Sequence, residues 1–191
     1  MKSTAYEVST VIEIPPYAGG SYGVTHVDRG MLQYFRNRFG CNSLLDVGCG
    51  PGGQVKEAKL LGYRALGLEI DPTFYRAEGV ALINLCDEPA ILPTPADLVW
   101  SCEVAEHLPE DCVANFLRTL TENSKMAICL TANVEPLPGH LTLRSREWWI
   151  EQVTADSRWV YDLHTADIVA KHSTMEREFL RETGMIFWRN R

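Results

Sequence analysis

The sequence predicts an α/β protein whose doubly wound, mostly parallel sheet carries helices on both faces. Short apolar segments alternate with helical segments from Ser43 to Thr131, which is the pattern of a parallel sheet covered on both sides. The first apolar segment runs directly into a glycine cluster, LLDVGCGPGG, and such turns stand at the ligand-binding edge of this fold class. The length of 191 residues suits one domain.

The predicted sheet begins at Ser43–Val47 (SLLDV), a short apolar run that suits a strand buried on both faces. Gln54–Leu61 is a predicted helix, and Gly62 is available as its left-handed C-terminal cap. A second strand is predicted at Arg64–Glu69. This order places the glycine cluster between the first strand and the first helix.

The later elements follow from turn chemistry and helical spacing. Asp71 and Pro72 supply an N-cap and a first-turn proline for a short helix that ends near Gly79. Apolar residues at helical spacing make Pro109–Glu122 an amphipathic helix. The remaining predicted elements, in chain order, are strands at Ala81–Leu85, Ala96–Ser101 and Lys125–Thr131, a helix around Arg146–Val153, a strand near Arg158–Leu163, a helix near Thr165–Glu182 and a strand at Met185–Arg189.

Composition and charge limit the function classes. Hydrophobic residues are 46% and charged residues 23% of the chain, near the averages for soluble globular proteins, and no stretch approaches the roughly 20 consecutive apolar residues of a membrane span. The net charge of −7 argues against a broad nucleic-acid-binding surface. Met1–Pro16 contains Glu7 and Glu13 where a secretion signal needs an unbroken apolar run. We therefore expect a cytoplasmic protein whose six cysteines are reduced core residues.

The glycine cluster after the first strand has two cofactor interpretations. As Gly48-x-Gly50-x-x-Gly53 with Glu69 about 20 residues further on, it matches a dinucleotide fingerprint. Asp46, just before the glycines, would repel the pyrophosphate of a dinucleotide but attract the ammonium and sulfonium groups of S-adenosylmethionine (SAM). We therefore expect SAM rather than NAD as the cofactor.

Four motifs follow one another between Ser43 and Glu110: LLDVGCGPGG, GLEID, NLCD and ADLVWSCEVAEHLPE. This series resembles the ordered motifs of class I SAM-dependent methyltransferases, and FLRETGMIFWRN is similar, more loosely, to their antiparallel last strand. The resemblance implies one Rossmann-like, seven-stranded domain over 1–191, with a lid or helix region in 1–40 and the core in 41–191. It also implies a cofactor site formed by Asp46, Gly48, Cys49, Gly50, Gly52, Glu69, Ile70, Cys86, Asp87 and Ser101.

The resemblance gives several of these residues a role. Glu69 would accept hydrogen bonds from both ribose hydroxyls, since a carboxylate offers two acceptor oxygens. Ile70 would pack on the adenine face, and Asp87 would accept a hydrogen bond from the adenine amino group. Cys86 is expected either at the adenine edge or in the core. Tyr17–Tyr22 (YAGGSY) is a candidate lid, because its glycines and tyrosines suit a mobile gate over the cofactor.

Glu103, Glu106 and His107 follow the fourth predicted strand, and their spacing would place all three on one face of a helical turn. Unpaired carboxylates so close would repel each other, and a divalent cation or a histidinium relieves that cost. The segment resembles the ExxEH motif of small-RNA 3′-end 2′-O-methyltransferases and ubiquinone-pathway O-methyltransferases, where it holds a divalent metal. His140 stands where those enzymes place a further histidine. The resemblance implies that these four residues bind Mg²⁺ or a similar ion; a structural or substrate-facing role for the histidine is the alternative.

The expected reaction is transfer of the SAM methyl group to a hydroxyl. The leaving group is already activated, so the enzyme mainly positions the reactants and excludes water, and His107 or His140 would remove the hydroxyl proton as a general base. We expect a small-molecule acceptor and no membrane partner. N-methylation, an RNA 2′-O-methyltransferase and a non-catalytic SAM-binding protein are the alternatives, and neither the acceptor nor the oligomeric state follows from the sequence.

Overall fold

A computed structural model describes residues 25–74 and 77–190, which form a seven-stranded sheet with helices on both faces. Six strands run in one direction, and β7 runs antiparallel to both of its neighbours, β5 and β6. The strand order is β3-β2-β1-β4-β5-β7-β6. The strands are β1 Ser43–Val47, β2 Arg64–Glu69, β3 Val80–Leu82, β4 Ala96–Cys102, β5 Ser124–Thr131, β6 Trp159–Tyr161 and β7 Met185–Arg189. The predicted fold class is confirmed, including the antiparallel last strand.

The helices divide between the two faces of the sheet. Buried residues of α1, α2 and α5 pack on one face and those of α3 and α4 on the other. The short α6 joins the first group through Leu180. The helices are α1 Arg29–Phe39, α2 Gly53–Leu60, α3 Val113–Glu122, α4 Arg146–Thr154, α5 Leu163–His172 and α6 Phe179–Glu182. No helix among the described residues is long and apolar enough to cross a membrane.

Strand β1 shows why the sheet needs helices on both sides. All five of its residues are buried, and alternate side chains belong to different cores. Leu44 packs with the α1 and α5 side, whereas Leu45 and Val47 pack with the α3 and α4 side. A strand that is apolar on both faces is stable only when both faces are covered.

The order of the strands places a crevice between β1 and β4. Connections from β1 pass to one side of the sheet, through β2 and β3, and the chain then returns to β4 on the other side of β1. At such a reversal the loops that follow the two strands diverge, and ligands bind in the crevice at the carboxyl ends. The glycine turn after β1 and the Glu103–His107 segment after β4 both lie at this edge.

Two helix predictions need correction. The predicted helix Thr165–Glu182 is two helices, because α5 ends at His172 and α6 begins only at Phe179. The break follows from Asp28, whose carboxylate accepts hydrogen bonds from Ser173 Oγ and from the backbone N–H of Thr174. After β2, only a 3-10 turn, Pro72–Phe74, is described in place of a helix to Gly79. Helix α1 had been expected only as part of a lid or helix region, and Tyr17–Tyr22 lies outside the described residues.

The expectation that all six cysteines are reduced is wrong for one pair. Cys86 and Cys112 form a disulfide, with Cα atoms 4.5 Å apart. It joins the β3–β4 connection to the residue before α3, two segments 26 residues apart in sequence, so no local spacing motif could reveal it. The other four cysteines are free, and burial raises the pKa of each thiol.

Candidate functional site

A cavity of about 800 Å³ opens at the carboxyl edge of the sheet, within the size range of small-molecule and cofactor sites. Its floor comes from the ends of β1, β2 and β4 and from the turns that follow them. Residues 137–140, in the connection between β5 and α4, form another wall. The cavity therefore lies at the β1/β4 crevice that the topology predicts.

The glycine turn between β1 and α2 has a backbone that only glycine tolerates well. Gly48, Gly50 and Gly52 adopt positive φ values of 77°, 52° and 79°. A Cβ on Gly48 would also lie 2.3 Å from the Val104 side chain. The N–H groups of Gly48 and Cys49 both donate to the carbonyl of Leu68 in β2, at 2.9 and 3.0 Å. The turn is therefore fixed against the sheet before any ligand arrives.

Glu69, at the end of β2, is the acceptor that organises this turn. Its Oε2 accepts a hydrogen bond from the N–H of Gly50 at 2.6 Å, and its Oε1 accepts from Ile70 and Asp71 at 2.9 and 3.1 Å. A carboxylate offers about four acceptor positions, so three backbone donors leave about one, on Oε2. Glu69 can accept one ribose hydroxyl there, and a second only if a backbone bond is exchanged.

Asp46 lies beneath the glycine turn and is buried. Burial and the neighbouring Glu69 carboxylate raise the pKa of Asp46 to about 8, so the side chain is mostly neutral at pH 7. A cationic ligand group beside it would reverse this and favour the ionised form. The site is therefore matched to a ligand with a positive charge at this point, as the ammonium of SAM has.

The cavity gathers most of the residues predicted to bind the cofactor. Seven of the ten predicted residues line it: Asp46, Gly48, Cys49, Gly50, Glu69, Ile70 and Cys86. Three do not. Gly52 caps α2, Asp87 is exposed, and Ser101 is buried with its hydroxyl donating to the Val47 carbonyl at 2.8 Å. Ser101 therefore holds β4 to β1 and is not directed at the cavity.

Several lining residues were not among the predicted site residues. Thr25 and His26 reach the cavity from the segment before α1, and Arg177 and Phe179 reach it from the α5–α6 connection. The His26 and Phe179 rings meet edge to face at 4.9 Å, and burial and nearby Arg177 lower the pKa of His26. The sequence carried no local signal for these residues, because long-range contacts bring the two segments together, among them the bonds that Asp28 accepts from Ser173 and Thr174.

At the other end of the cavity, the segment after β4 differs from the expected helical turn. Glu103 adopts φ +56°, unlike any other non-glycine residue among those described, and is followed by a 3-10 turn, Ala105–His107. Its Oε1 accepts a hydrogen bond from Thr131 Oγ1 at 2.8 Å. The prediction that Glu103 shares one face with Glu106 and His107 is therefore wrong in its geometry.

Glu106, His107 and His140 do come together. One ligand atom from each lies within 4.8 Å of the others, so the three could hold a metal ion. Glu106 is buried, and neither carboxylate oxygen forms a well-aligned hydrogen bond with the described residues, although the Glu103 carboxyl group and the Asn133 backbone lie close to it. Burial and the nearby Glu103 carboxylate raise the pKa of Glu106 to about 8. An unpartnered buried carboxylate is costly, and a bound cation would compensate it.

The two histidines are oriented by backbone carbonyls. His107 Nδ1 lies 3.0 Å from the Gly139 carbonyl, and His140 Nδ1 lies 2.7 Å from the Glu135 carbonyl. Each Nδ1 therefore carries the proton, and each Nε2 keeps a lone pair, as in metal-binding histidines. The rings meet edge to face at 4.8 Å. Burial lowers the pKa of His107, which favours its neutral, ligand-competent form.

Comparisons with known proteins agree with this geometry. Residues 45–128, from β1 through most of β5, match the family model described as a methyltransferase domain. Together with the sheet topology, this match is consistent with the class I SAM-dependent methyltransferase family. No curated protein sequence matches it.

Solved structures show how widely this methyltransferase shares its fold. Plantazolicin methyltransferase BpumL, solved with a triazolic desmethylPZN analog and S-adenosylhomocysteine (SAH), has a TM-score of 0.58 at 15% identity over 85% of this chain and 83% of its own. The methyltransferase domain of bacterial CtHen1 also has a TM-score of 0.58 at 15% identity, and the match covers 85% of this chain and 97% of that chain. An O-methyltransferase from a trans-AT PKS multienzyme of Brevibacillus brevis, solved with SAH, has a TM-score of 0.55 at 13% identity. The match covers 84% of this chain and 69% of that chain.

SAM is the cofactor of this methyltransferase, and the residues at the cavity fit it. The buried Asp46 suits a cationic group, and the glycine turn lets a ligand approach the backbone closely. Glu69 retains one acceptor position for a hydroxyl. The protein supplies a fixed, internally bonded cradle for the cofactor before binding.

Proposed function

We propose that this methyltransferase transfers the SAM methyl group to a hydroxyl of a small-molecule acceptor, assisted by a divalent cation held by Glu106, His107 and His140. The observation that carries the proposal is the buried Glu106 carboxylate, which forms no well-aligned hydrogen bond with the described residues and has an oxygen within 4.8 Å of a nitrogen of each imidazole. Two imidazoles and one carboxylate are ligands that several divalent ions accept.

The residues fit a cation for three separate reasons. Glu106 offers a carboxylate whose burial is otherwise uncompensated. His107 and His140 each direct Nδ1 to a backbone carbonyl, leaving Nε2 as a ligand atom. Glu103 accepts a bond from Thr131 and stands beside Glu106, so it adds negative charge without belonging to the ligand group.

The chain's own residues then account for the chemistry. Asp46 and the glycine turn would hold SAM at one end of the cavity, and His107 and His140 lie at the other end, where the acceptor would bind. The acceptor oxygen bonds to the methyl carbon as the carbon–sulfur bond breaks, and the sulfur keeps that electron pair and becomes a neutral thioether. Because His107 and His140 would hold the cation through Nε2 and keep a proton on Nδ1, neither imidazole could accept the hydroxyl proton, which would pass to solvent. A bound divalent cation would lower the pKa of the acceptor hydroxyl.

The charge around the cavity supports a small acceptor over a nucleic acid. Four carboxylates line the cavity, those of Asp46, Glu69, Glu103 and Glu106, and Arg177 is the only Lys or Arg among the described lining residues. The chain as a whole carries a net charge of −7. Binding of a phosphate backbone depends on several Lys or Arg contacts, which this surface does not offer near the acceptor end.

A screen of small phenols and alcohols, with SAH formation as the readout, tests the proposal. Each acceptor is assayed with added Mg²⁺ and with excess chelator. We expect methyl transfer that chelation reduces and added divalent cation restores. Asp87→Ala serves as the control, because Asp87 is exposed and does not line the cavity. Full methyl transfer in excess chelator would contradict the role of the cation, and transfer only to amines would contradict O-methylation.

A further inference from the structure

The connection between β5 and α4 exposes an unusual amount of apolar surface. Residues 132–143, which we call the rim segment, contain Val134, Leu137, Leu141 and Leu143, each 42–52% exposed. The described residues include eight exposed large aliphatic side chains, and half of them lie in this one segment. Isolated exposed leucines need no explanation, whereas a cluster beside a cavity marks a binding surface.

The rim segment is held in place by the residues of the candidate metal site. The N–H groups of Leu141 and Thr142 donate to the carbonyl of Glu106, at 2.7 and 3.0 Å. Thr142 Oγ1 donates to the carbonyl of Leu108 at 2.6 Å. The Gly139 carbonyl accepts the hydrogen bond of His107. The exposed leucines are therefore fixed beside the acceptor end of the cavity by these bonds.

The apolar surface also continues into the cavity. Leu137 and Pro138 line the cavity, and Leu137 is 47% exposed, so it belongs to both the interior wall and the outer rim. Leu108 and Val104 extend the apolar wall inward from the rim. An acceptor whose hydroxyl lies beside His107 and His140 would therefore contact aliphatic side chains with the rest of its body.

Charge on the rim segment points away from a polyanion. Residues 132–143 contain Glu135 and no Lys or Arg. Arg144, just beyond, pairs with Glu110 at 2.5 Å and lies over the Trp148 ring, 5.0 Å from its centroid. A phosphate backbone would find no free cation here, whereas an uncharged apolar group could displace water from the leucines.

We propose that the rim segment binds the apolar body of the acceptor, so that the substrate class is a hydroxyl compound, phenolic or aliphatic, with an uncharged alkyl or aryl substituent. The inference rests on the proposed function, since it places the acceptor hydroxyl at His107 and His140. Leu137 is the central residue, because it joins the cavity wall to the exposed rim.

Binding of a homologous series tests this proposal independently of turnover. 4-Methylphenol, 4-ethylphenol and 4-butylphenol are titrated calorimetrically into the full chain saturated with SAH and Mn²⁺. We expect 4-butylphenol to bind about tenfold more tightly than 4-methylphenol, since a fully buried methylene contributes up to about fourfold and a rim contact buries only part of each. Leu137→Asn/Leu141→Asn should reduce this ratio to about twofold or less.

Leu60→Asn is the matched control, because Leu60 is also exposed but ends α2, away from the cavity lining. The control should keep the wild-type ratio. Equal affinities across the series in the wild type would overturn the proposal. So would a single-stranded RNA oligonucleotide that binds and displaces 4-butylphenol, or a ratio that the double variant leaves unchanged.

Failure of this inference and failure of the proposed function give different results. If the alkyl series shows no trend while methyl transfer still responds to chelator, only the rim assignment is wrong. If affinity rises with alkyl length but chelator does not change the rate of methyl transfer, the rim segment binds the acceptor as proposed and the cation has no role in the reaction.

Discussion

The glutamates at the two ends of the cavity differ in how they are hydrogen-bonded. At the cofactor end, Glu69 accepts three hydrogen bonds from backbone N–H groups of the turns that it joins. At the acceptor end, Glu106 is buried, unlike the partly exposed Glu69, and neither of its oxygens forms a well-aligned hydrogen bond with the described residues. The backbone donors of the glycine turn are thus satisfied without a ligand, whereas Glu106 has no such donors; Asp46 at the cofactor end, with its raised pKa, still lacks a cationic partner.

This difference indicates what each end requires from outside the chain. Satisfied backbone donors hold the glycine turn in a fixed shape, so SAM binds to a cradle that is already formed. An unpartnered carboxylate beside a second carboxylate stores a cost that a cation can relieve. On this view, Glu69 is chiefly an organiser of structure that also contacts the cofactor, and Glu106 is retained for binding at the expense of stability.

Of the variants considered, Glu106→Gln should lose the most activity, and it should do so without losing stability. We expect methyl transfer to fall on the order of 10²-fold, the scale of a group acting on the acceptor proton. The metal-free variant should unfold at the same or a higher temperature than the wild type, because an uncompensated buried carboxyl group is replaced by a neutral amide. Methyl-transfer rates and thermal unfolding are measured on the same preparations. A variant that is both inactive and clearly less stable would show that Glu106 supports the fold.

Glu69→Ala should weaken SAH binding by about 1–3 kcal/mol, the cost of leaving buried hydrogen-bonding groups unpaired. Part of this loss comes from the N–H groups of Gly50, Ile70 and Asp71, which lose their shared acceptor. Calorimetric titration with SAH gives the affinity. Asp87→Ala should change it by less than about 0.5 kcal/mol, as expected for an exposed position. A larger loss of SAH affinity in Asp87→Ala than in Glu69→Ala would show that the adenosine binds beside Asp87 and not beside Glu69.

Cofactor binding should release protons from Asp46. The pKa of this buried carboxyl is raised to about 8, so the free protein holds its proton at pH 7, and a nearby ammonium group would expel it. Titrations with SAH in phosphate and in Tris should therefore give different enthalpies, corresponding to about one proton released. Asp46→Asn should remove the difference. Equal enthalpies in both buffers for the wild type would place the cofactor ammonium elsewhere.

The same raised pKa predicts a smaller effect on stability. The unfolded chain loses the Asp46 proton near pH 4, whereas the folded protein keeps it until about pH 8. Folding is therefore favoured by this group at low pH, and its contribution declines as the pH rises from about 4 to about 8. Unfolding of Asp46→Asn in denaturant should depend less on pH over that interval than unfolding of the wild type. An identical pH dependence in both would contradict the assignment.

The sequence predicted the sheet well because each strand is defined locally. Ser43–Val47, Arg64–Glu69 and Met185–Arg189 have the predicted bounds, since each is a short run with strand-forming residues that ends at a turn or a charged residue. The break between α5 and α6 could not be predicted in this way. It depends on Asp28, about 145 residues earlier in the chain, which binds Ser173 and Thr174.

In the candidate site, too, the residues of a local motif were predicted and those that depend on long-range contacts were not. The glycine turn and Glu69 form a local motif, and the cavity includes most of the residues assigned from it. Glu103, Glu106 and His107 were predicted to share a regular helical turn, but Glu103 has a positive φ and lies outside the group of possible metal ligands. His140 joined the group through long-range bonds between the rim segment and Glu106. The Cys86–Cys112 disulfide and the lining role of His26 likewise depend on tertiary contacts that leave no local pattern.

Direct titration of Mn²⁺ into the SAH-saturated protein tests the contrast between the two ends most simply. Bound and free Mn²⁺ are distinguished by electron paramagnetic resonance in the wild type, Glu106→Gln and Glu103→Gln. We predict one Mn²⁺ per chain in the wild type, affinity at least about tenfold weaker in Glu106→Gln, and a smaller loss in Glu103→Gln, whose carboxylate lies outside the ligand group. Wild-type protein that binds no Mn²⁺, or that binds it equally well after Glu106→Gln, would contradict the account.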